Sequence, residues 1–281
     1  MKCAWQALLN LLPQSLRPEV DRLGKERLQE LRLRRNLRPE LICHRQSTTL
    51  PQTVTAEMLQ FVINAACRYS PWTATTAAEG YITAAGGHRI GLCGEVVLNN
   101  GKMADIKGIS SLCIRVSRDF EGIAARAPSR GSLLILGSPG SGKTTLLRDL
   151  IRIRSNQGQG SVAVVDERRE LFPLAGGNFC FSAGDRTDVL SGCPKAQGIE
   201  LLLRTMGPST IAVDEITARE DCDALLGAAW CGVDLIATAH AGSLKDFLNR
   251  PIYKPLIESR IFHTVLVMQE DKSWREERLH L

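Results

Sequence analysis

The rhythm of hydrophobic and polar positions changes once along the chain, near residue 130. Before that point, helical spacing alternates with short half-buried strands. Residues 1–16 carry Trp5, Leu8, Leu9, Leu12 and Leu16 at helical spacing, interrupted by Gln6 and Asn10. This amphipathic segment is expected to dock on its own domain. Leu31-Arg32-Leu33-Arg34 alternates with a period of two, which predicts a half-buried strand ending near Pro39. Thr55 is a suitable N-cap, and Val54 and Leu59 are spaced as a hydrophobic staple, so a helix is predicted through Cys67. Strands are predicted over 80–84, 86–91, 95–98 and 111–116, with a hairpin turn at Asn99-Asn100-Gly101. Residues 119–131, with Gly122, Ala124, Ala125, Ala127, Pro128 and Gly131, read as a linker.

From 132 onward the pattern is strand, helix, strand, helix. Apolar strands are predicted at 132–136, 161–166, 178–182, 210–214, 233–238 and 262–268. Helices are predicted at 143–154, 195–206, 220–231 and 243–249. Such alternation implies a largely parallel sheet covered on both faces. The expected organisation is a smaller α+β domain over 1–125 and an α/β domain over 126–281.

Composition narrows the class. A length of 281 residues suits two domains with a sizeable core. No uncharged apolar stretch approaches a membrane span, and residues 1–16 are too polar for a secretory signal. Nine scattered cysteines without CxxC spacing fit reduced thiols in a cytosolic protein and build no metal cluster. Residues 1–125 hold 16 Lys+Arg against 11 Asp+Glu, whereas the remainder holds 19 of each. The excess centres on Arg22–Arg45, with Arg32, Arg34, Arg35 and Arg38 clustered. A solvated face explains it, and an acidic partner (nucleic acid, anionic lipid or an acidic protein face) is the sharper alternative.

The chemistry is concentrated in the second domain. Gly137-Ser138-Pro139-Gly140-Ser141-Gly142-Lys143-Thr144-Thr145 is a complete Walker A phosphate loop between a predicted strand and a predicted helix. Gly137, Gly140 and Gly142 let backbone N–H groups converge on phosphate oxygens, aided by the helix N-terminus. Lys143 brings a charge to the β- and γ-phosphates, and the Thr144 hydroxyl is a Mg²⁺ ligand. The chain is therefore expected to bind a nucleoside triphosphate with Mg²⁺, which the resemblance given below makes ATP. Thr210-Ile211-Ala212-Val213-Asp214-Glu215 reads as Walker B, with Asp214 toward Mg²⁺ and Glu215 polarising the attacking water. Val165-Asp166-Glu167-Arg168-Arg169-Glu170 ends another strand in acids. Glu170 or Glu167 could order water or magnesium, or the loop could simply pair its acids with Arg168 and Arg169. His240 ends a third strand at the same sheet edge, as a γ-phosphate sensor or relay. Arg186, in the polar stretch 184–189, is a candidate arginine finger acting on a neighbouring subunit, with Arg89, Arg115, Arg118 and Arg204 as rivals.

Taken together, these motifs resemble the stage III sporulation protein AA family. The resemblance rests on Gly-Tyr-Ile-Thr at 80–83, Gly-Gly-His-Arg-Ile-Gly at 86–91, Ile-Ser-Ser-Leu-Cys-Ile-Arg at 109–115 and the phosphate loop. It extends through Val-Asp-Glu-Arg at 165–168, Arg-Thr-Asp-Val-Leu at 186–190, Val-Asp-Glu-Ile at 213–216 and Ala-Thr-Ala-His at 237–240. That family is similar to the ATPases of type II, type IV and pilus-retraction machines. The resemblance implies a RecA-like P-loop NTPase core with a smaller N-terminal α+β domain. By it, Glu170 falls at the acidic-box glutamate, Asp214 and Glu215 at Walker B, and His240 at the histidine box. It further implies a homo-oligomeric ring, a hexamer, docked on the cytoplasmic face of a membrane-embedded sporulation channel between mother cell and forespore. A nucleic-acid translocase and a ring merely stabilised by ATP are the competing readings.

Overall fold

In the computed structural model, which describes residues 1–43, 46–67, 80–157, 160–175 and 177–279, two sheets of different kind follow the change of rhythm. Arg45, at the end of the basic cluster, lies outside the described residues. The chain divides into one unit of Met1–Asp119 with Pro173–Phe181, and another of Phe120–Phe172 with Ser182–Leu281.

The first unit is built on an antiparallel sheet. Its strands are β1 (Glu30–Arg34), β2 (Glu40–Cys43), β3 (Gln46–Thr49), β4 (Tyr81–Thr83), β5 (Arg89–Asn99) and β6 (Lys102–Arg115), in the order β3-β2-β1-β6-β5-β4. Leu31 and Leu33 are fully buried while Arg32 and Arg34 face outward, as period-two alternation requires. Helices α1 (Trp5–Leu11), α2 (Arg17–Leu23) and α3 (Ala56–Cys67) contribute Leu8, Leu11, Val20, Leu59 and Val62 to the same core. The segment 1–16 does dock on its own unit, but the helix stops before Pro13, whose ring removes a backbone donor. Thr55 Oγ1 accepts from Met58 N at 3.3 Å, and Val54 and Leu59 are both buried, so the predicted cap and staple form.

Two expectations change. The strand predicted at 86–91 begins only at Arg89, because Ala85–Gly87 form a 3₁₀ turn with Gly86 and Gly87 at φ 78° and 77°. The strand predicted at 178–182 is not part of the parallel sheet. Asn178–Phe179 (β10) instead pairs with Leu174–Ala175 (β9) in a small hairpin belonging to the first unit. There a Cβ on Gly87 would meet the Phe181 ring at 3.0 Å. The apolar alternation that suggested a core strand is thus satisfied by packing against the 85–87 turn.

The place vacated in the second sheet is taken by Thr187–Ser191 (β11), which overlaps the polar stretch 184–189. With Leu133–Gly137 (β7), Val162–Asp166 (β8), Thr210–Val213 (β12), Asp234–His240 (β13), Thr264–Met268 (β14) and Trp274–Arg278 (β15), the order is β11-β8-β12-β13-β7-β14-β15. All neighbours are parallel except β14 and β15. Central strands β7, β8 and β12 are buried at every position, whereas edge strand β11 is half-buried throughout. That difference explains why β11 is polar and escaped a reading based on apolar runs. Helices α4 (Lys143–Gln157), α5 (Lys195–Met206), α6 (Arg219–Trp230), α7 (Leu244–Leu248) and α8 (Lys254–Glu258) complete this unit. No helix among the described residues is long and apolar enough to cross a membrane.

Candidate active site

Parallel topology delivers the carboxyl ends of β7, β8, β12 and β13 to one sheet edge. The phosphate loop leaves β7 there and enters α4. Gly140 and Gly142 sit at φ 75° and 105°, and a Cβ on Gly137 would lie 2.4 Å from Ser141 Oγ, so the loop needs glycine at these points. Lys143 is buried, and its Nζ donates to Gly137 O at 2.9 Å, Ser138 O at 3.0 Å and His240 Nδ1 at 3.0 Å. Burial pushes its ammonium below the usual lysine range, against the upward pull of Asp214 and Glu215.

Walker B closes on this loop directly. Thr144 Oγ1 donates to Asp214 Oδ2 at 2.8 Å, and Thr238 Oγ1 donates to Asp214 Oδ1 at 2.6 Å. The same Thr238 oxygen accepts from Glu215 N at 2.8 Å. Glu215 itself has φ 51°, a left-handed conformation that costs a residue with a side chain about 1–3 kcal/mol. Thr238 holds that turn in place, with Ile216 N donating to Thr238 O at 2.8 Å. The Glu215 carboxylate is held at both ends: Oε1 lies 2.7 Å from His240 Nε2 and Oε2 lies 2.5 Å from an Arg168 terminal nitrogen. Because Lys143 can only donate, His240 Nδ1 accepts from it and Nε2 donates to Glu215. A chain Lys143–His240–Glu215–Arg168 results.

The acid loop after β8 is folded around Asp166. This buried carboxylate accepts from Glu170 N at 2.8 Å, Phe172 N at 2.9 Å and Leu171 N at 3.0 Å. Burial nevertheless raises its carboxyl to about 6, opposed by the Phe172 and Leu171 amides. The buried Arg148 of α4 supports the loop from behind by donating to Leu171 O and Glu170 O. Glu170 thereby lines one hollow with Glu167, Asp214 and Glu215, while Glu167 pairs with Lys195.

Arg186 is placed elsewhere. It immediately precedes β11, at the amino ends of the parallel strands, and donates to Ser155 O and Asn156 O at the end of α4. Within one chain it is not brought to Lys143. Arg204 sits in the last turn of α5. In the first unit Arg118 donates to Lys25 O and Leu28 O, Arg115 pairs with Glu30, and Arg89 lies over the Tyr81 ring.

Beside the loop lies a pocket of about 850 Å³, lined by Gly140, Gly142, Thr145, Leu146, Met268, Trp274 and the linker residues Phe120, Ile123 and Arg126. Trp274 Nε1 donates to Ile123 O at 3.1 Å and fastens its wall. Asp149 of α4 fastens the linker, accepting from Ala124 N at 2.7 Å and Gly122 N at 3.2 Å. Sequence reading missed this pocket, the role of Thr238 and the linker's part in the site, and it read Asp166 as one of the acids ending a strand, not as the centre of the loop's fold. The one available signal was position, since Met268 and Thr238 stand near carboxyl ends of strands.

The residues fit a magnesium-bound nucleoside triphosphate. Ser141 Oγ is buried with no hydrogen-bond partner, Lys143 is a desolvated cation, and Thr144 and Asp214 are adjacent hard oxygen ligands. Such a loop on such a sheet defines a RecA-like P-loop nucleotide-binding core, joined here to a smaller α+β unit. A solved Yersinia pseudotuberculosis ATPase DotB superposes with a TM-score of 0.64 at 13% identity, over 95% of this chain and 79% of that one. The pilus retraction motor PilT superposes with a TM-score of 0.61 at 16% identity, over 89% and 76%. Both likenesses speak for the fold alone. The chain belongs to the family described as Sporulation stage III, protein AA, whose model matches residues 4–277. It is 37% identical to Stage III sporulation protein AA of Bacillus subtilis over 279 residues, 94% of this chain and 91% of that protein.

Proposed function

We propose that this protein hydrolyses ATP with Mg²⁺ and drives assembly of, or transport through, a membrane-embedded sporulation channel from its cytoplasmic face. The observation that carries the reading is the convergence of Lys143, Thr144, Asp214, Glu215 and His240 at one sheet edge beside a nucleoside-sized pocket. Bound Mg²⁺, held by Thr144 and Asp214, would neutralise charge on the phosphates. Lys143 binds the triphosphate, and Glu215 takes a proton from water as the oxygen attacks the γ-phosphorus and ADP leaves. Glu170 orders water in the hollow it shares with Glu215. The family membership and the secretion-motor fold support a homo-oligomeric ring, a hexamer, in which an arginine such as Arg186 reaches the neighbouring subunit's nucleotide. Nucleic acid is not the partner in this reading, because Arg32 and Arg34 of the basic cluster already pair with Glu30 and Glu40.

Turnover and nucleotide binding of two variants test it. Glu215→Gln should retain ATP and lose roughly 100-fold or more in kcat, whereas Lys143→Ala should weaken both binding and turnover. Wild-type turnover in Glu215→Gln would remove the assignment of the base.

A further inference from the structure

One contact between the acid loop and the Walker B turn constrains the Glu215 carboxylate. Glu215 Oε2 is 2.5 Å from Arg168, and Glu215 Oε1 is 2.7 Å from His240. The two clamps are not equivalent. His240 is tied at its other ring nitrogen to the buried Lys143, while the Arg168 side chain is 54% exposed on the loop after β8. Release from the arginine therefore moves a half-exposed side chain, whereas release from His240 disturbs the phosphate loop.

We infer that Arg168 is a positioning residue that occupies one oxygen of Glu215 and must let go before that oxygen accepts a proton from water. This rests on reading Glu215 as the base. An arginine bound to a carboxylate oxygen occupies that oxygen with a charge-assisted hydrogen bond. Glu215 held on both oxygens is thus oriented but occupied, and departure of Arg168 opens Oε2 to water while His240 still holds Oε1.

Two measurements decide it. Arg168→Gln should raise basal kcat roughly 3- to 10-fold with nucleotide affinity unchanged. Arg168→Lys, which keeps the charge, should stay near wild type, and Arg168→Gln/Glu215→Gln should be as slow as Glu215→Gln. In nucleotide-free protein, unfolding midpoints of Arg168→Gln, Glu215→Gln and the double variant should be non-additive, as for residues in contact. Turnover of Arg168→Gln at or below wild type, Arg168→Lys matching Arg168→Gln, or additive midpoints overturns the inference. Full turnover in Glu215→Gln sinks the base assignment instead, so the two failures are distinguishable.

Discussion

Thr238 holds two carboxylate-bearing residues with one buried hydroxyl, donating to Asp214 and accepting from the Glu215 amide. Thr238→Val keeps the shape and removes both bonds, leaving a buried N–H unpaired next to a left-handed backbone. Turnover should fall at least about tenfold with nucleotide affinity little changed, and Thr238→Ser should restore it. Parallel hydrolysis and binding titrations check this. His88 is the corresponding keystone of the first unit, fully buried, with Nδ1 accepting from Ser117 N and Nε2 facing Ala4 O. Burial, with the Arg118 charge adding to it and the Ala4 carbonyl opposing, holds its pKa below the usual histidine range. The folded state then binds fewer protons than the unfolded chain just below the ordinary value. His88 therefore contributes stability above about pH 6.5, and that contribution is lost as pH falls below it. Denaturant titrations from pH 7.5 to 5.5 should show a loss that His88→Gln abolishes.

At the scale of elements, α4 is more than the helix behind a phosphate loop. Arg148, Asp149, Arg152 and Arg154 are all buried in it, an unusual load of charge. Arg148 carries the acid loop, and Asp149 carries the linker wall of the pocket while pairing with Arg152. Removing the central carboxylate strands two amides and takes one of its carboxylates from the buried Arg152, so Asp149→Ala should cost about 3–5 kcal/mol in chemical unfolding. The phosphate loop, Walker B and the ends of β8 and β13 were legible because apolar strands ending in acids or histidine declare both their period and their edge. β11 was not, since an edge strand buries too little to demand an apolar run. The wall formed by Phe120 and Ile123 was hidden for another reason: its partners Leu146, Met268 and Trp274 are distant in sequence and assembled only by strand order. Glu170 could be proposed from the motif, but its dependence on Asp166 is a matter of three backbone amides that no side-chain pattern encodes.

For the whole molecule, the chain passes between its units at 119/120, 172/173 and 181/182. Arg130 is exposed beyond the first passage, so limited trypsin digestion can cut there. The fragments 1–130 and 131–281 should still elute together under native conditions, because 173–181 of the second is built into the first. Separation of the two on native gel filtration would refute that arrangement. The same excursion has a mechanical meaning. Its hairpin is stitched under the Gly86-Gly87 turn, and its first residue follows directly on Phe172, whose amide is gripped by Asp166. Tension on that stitch is delivered to the backbone that presents Glu170. The hairpin of the first unit and the acid loop of the proposed hydrolytic site thus share a tether only a few peptide bonds long.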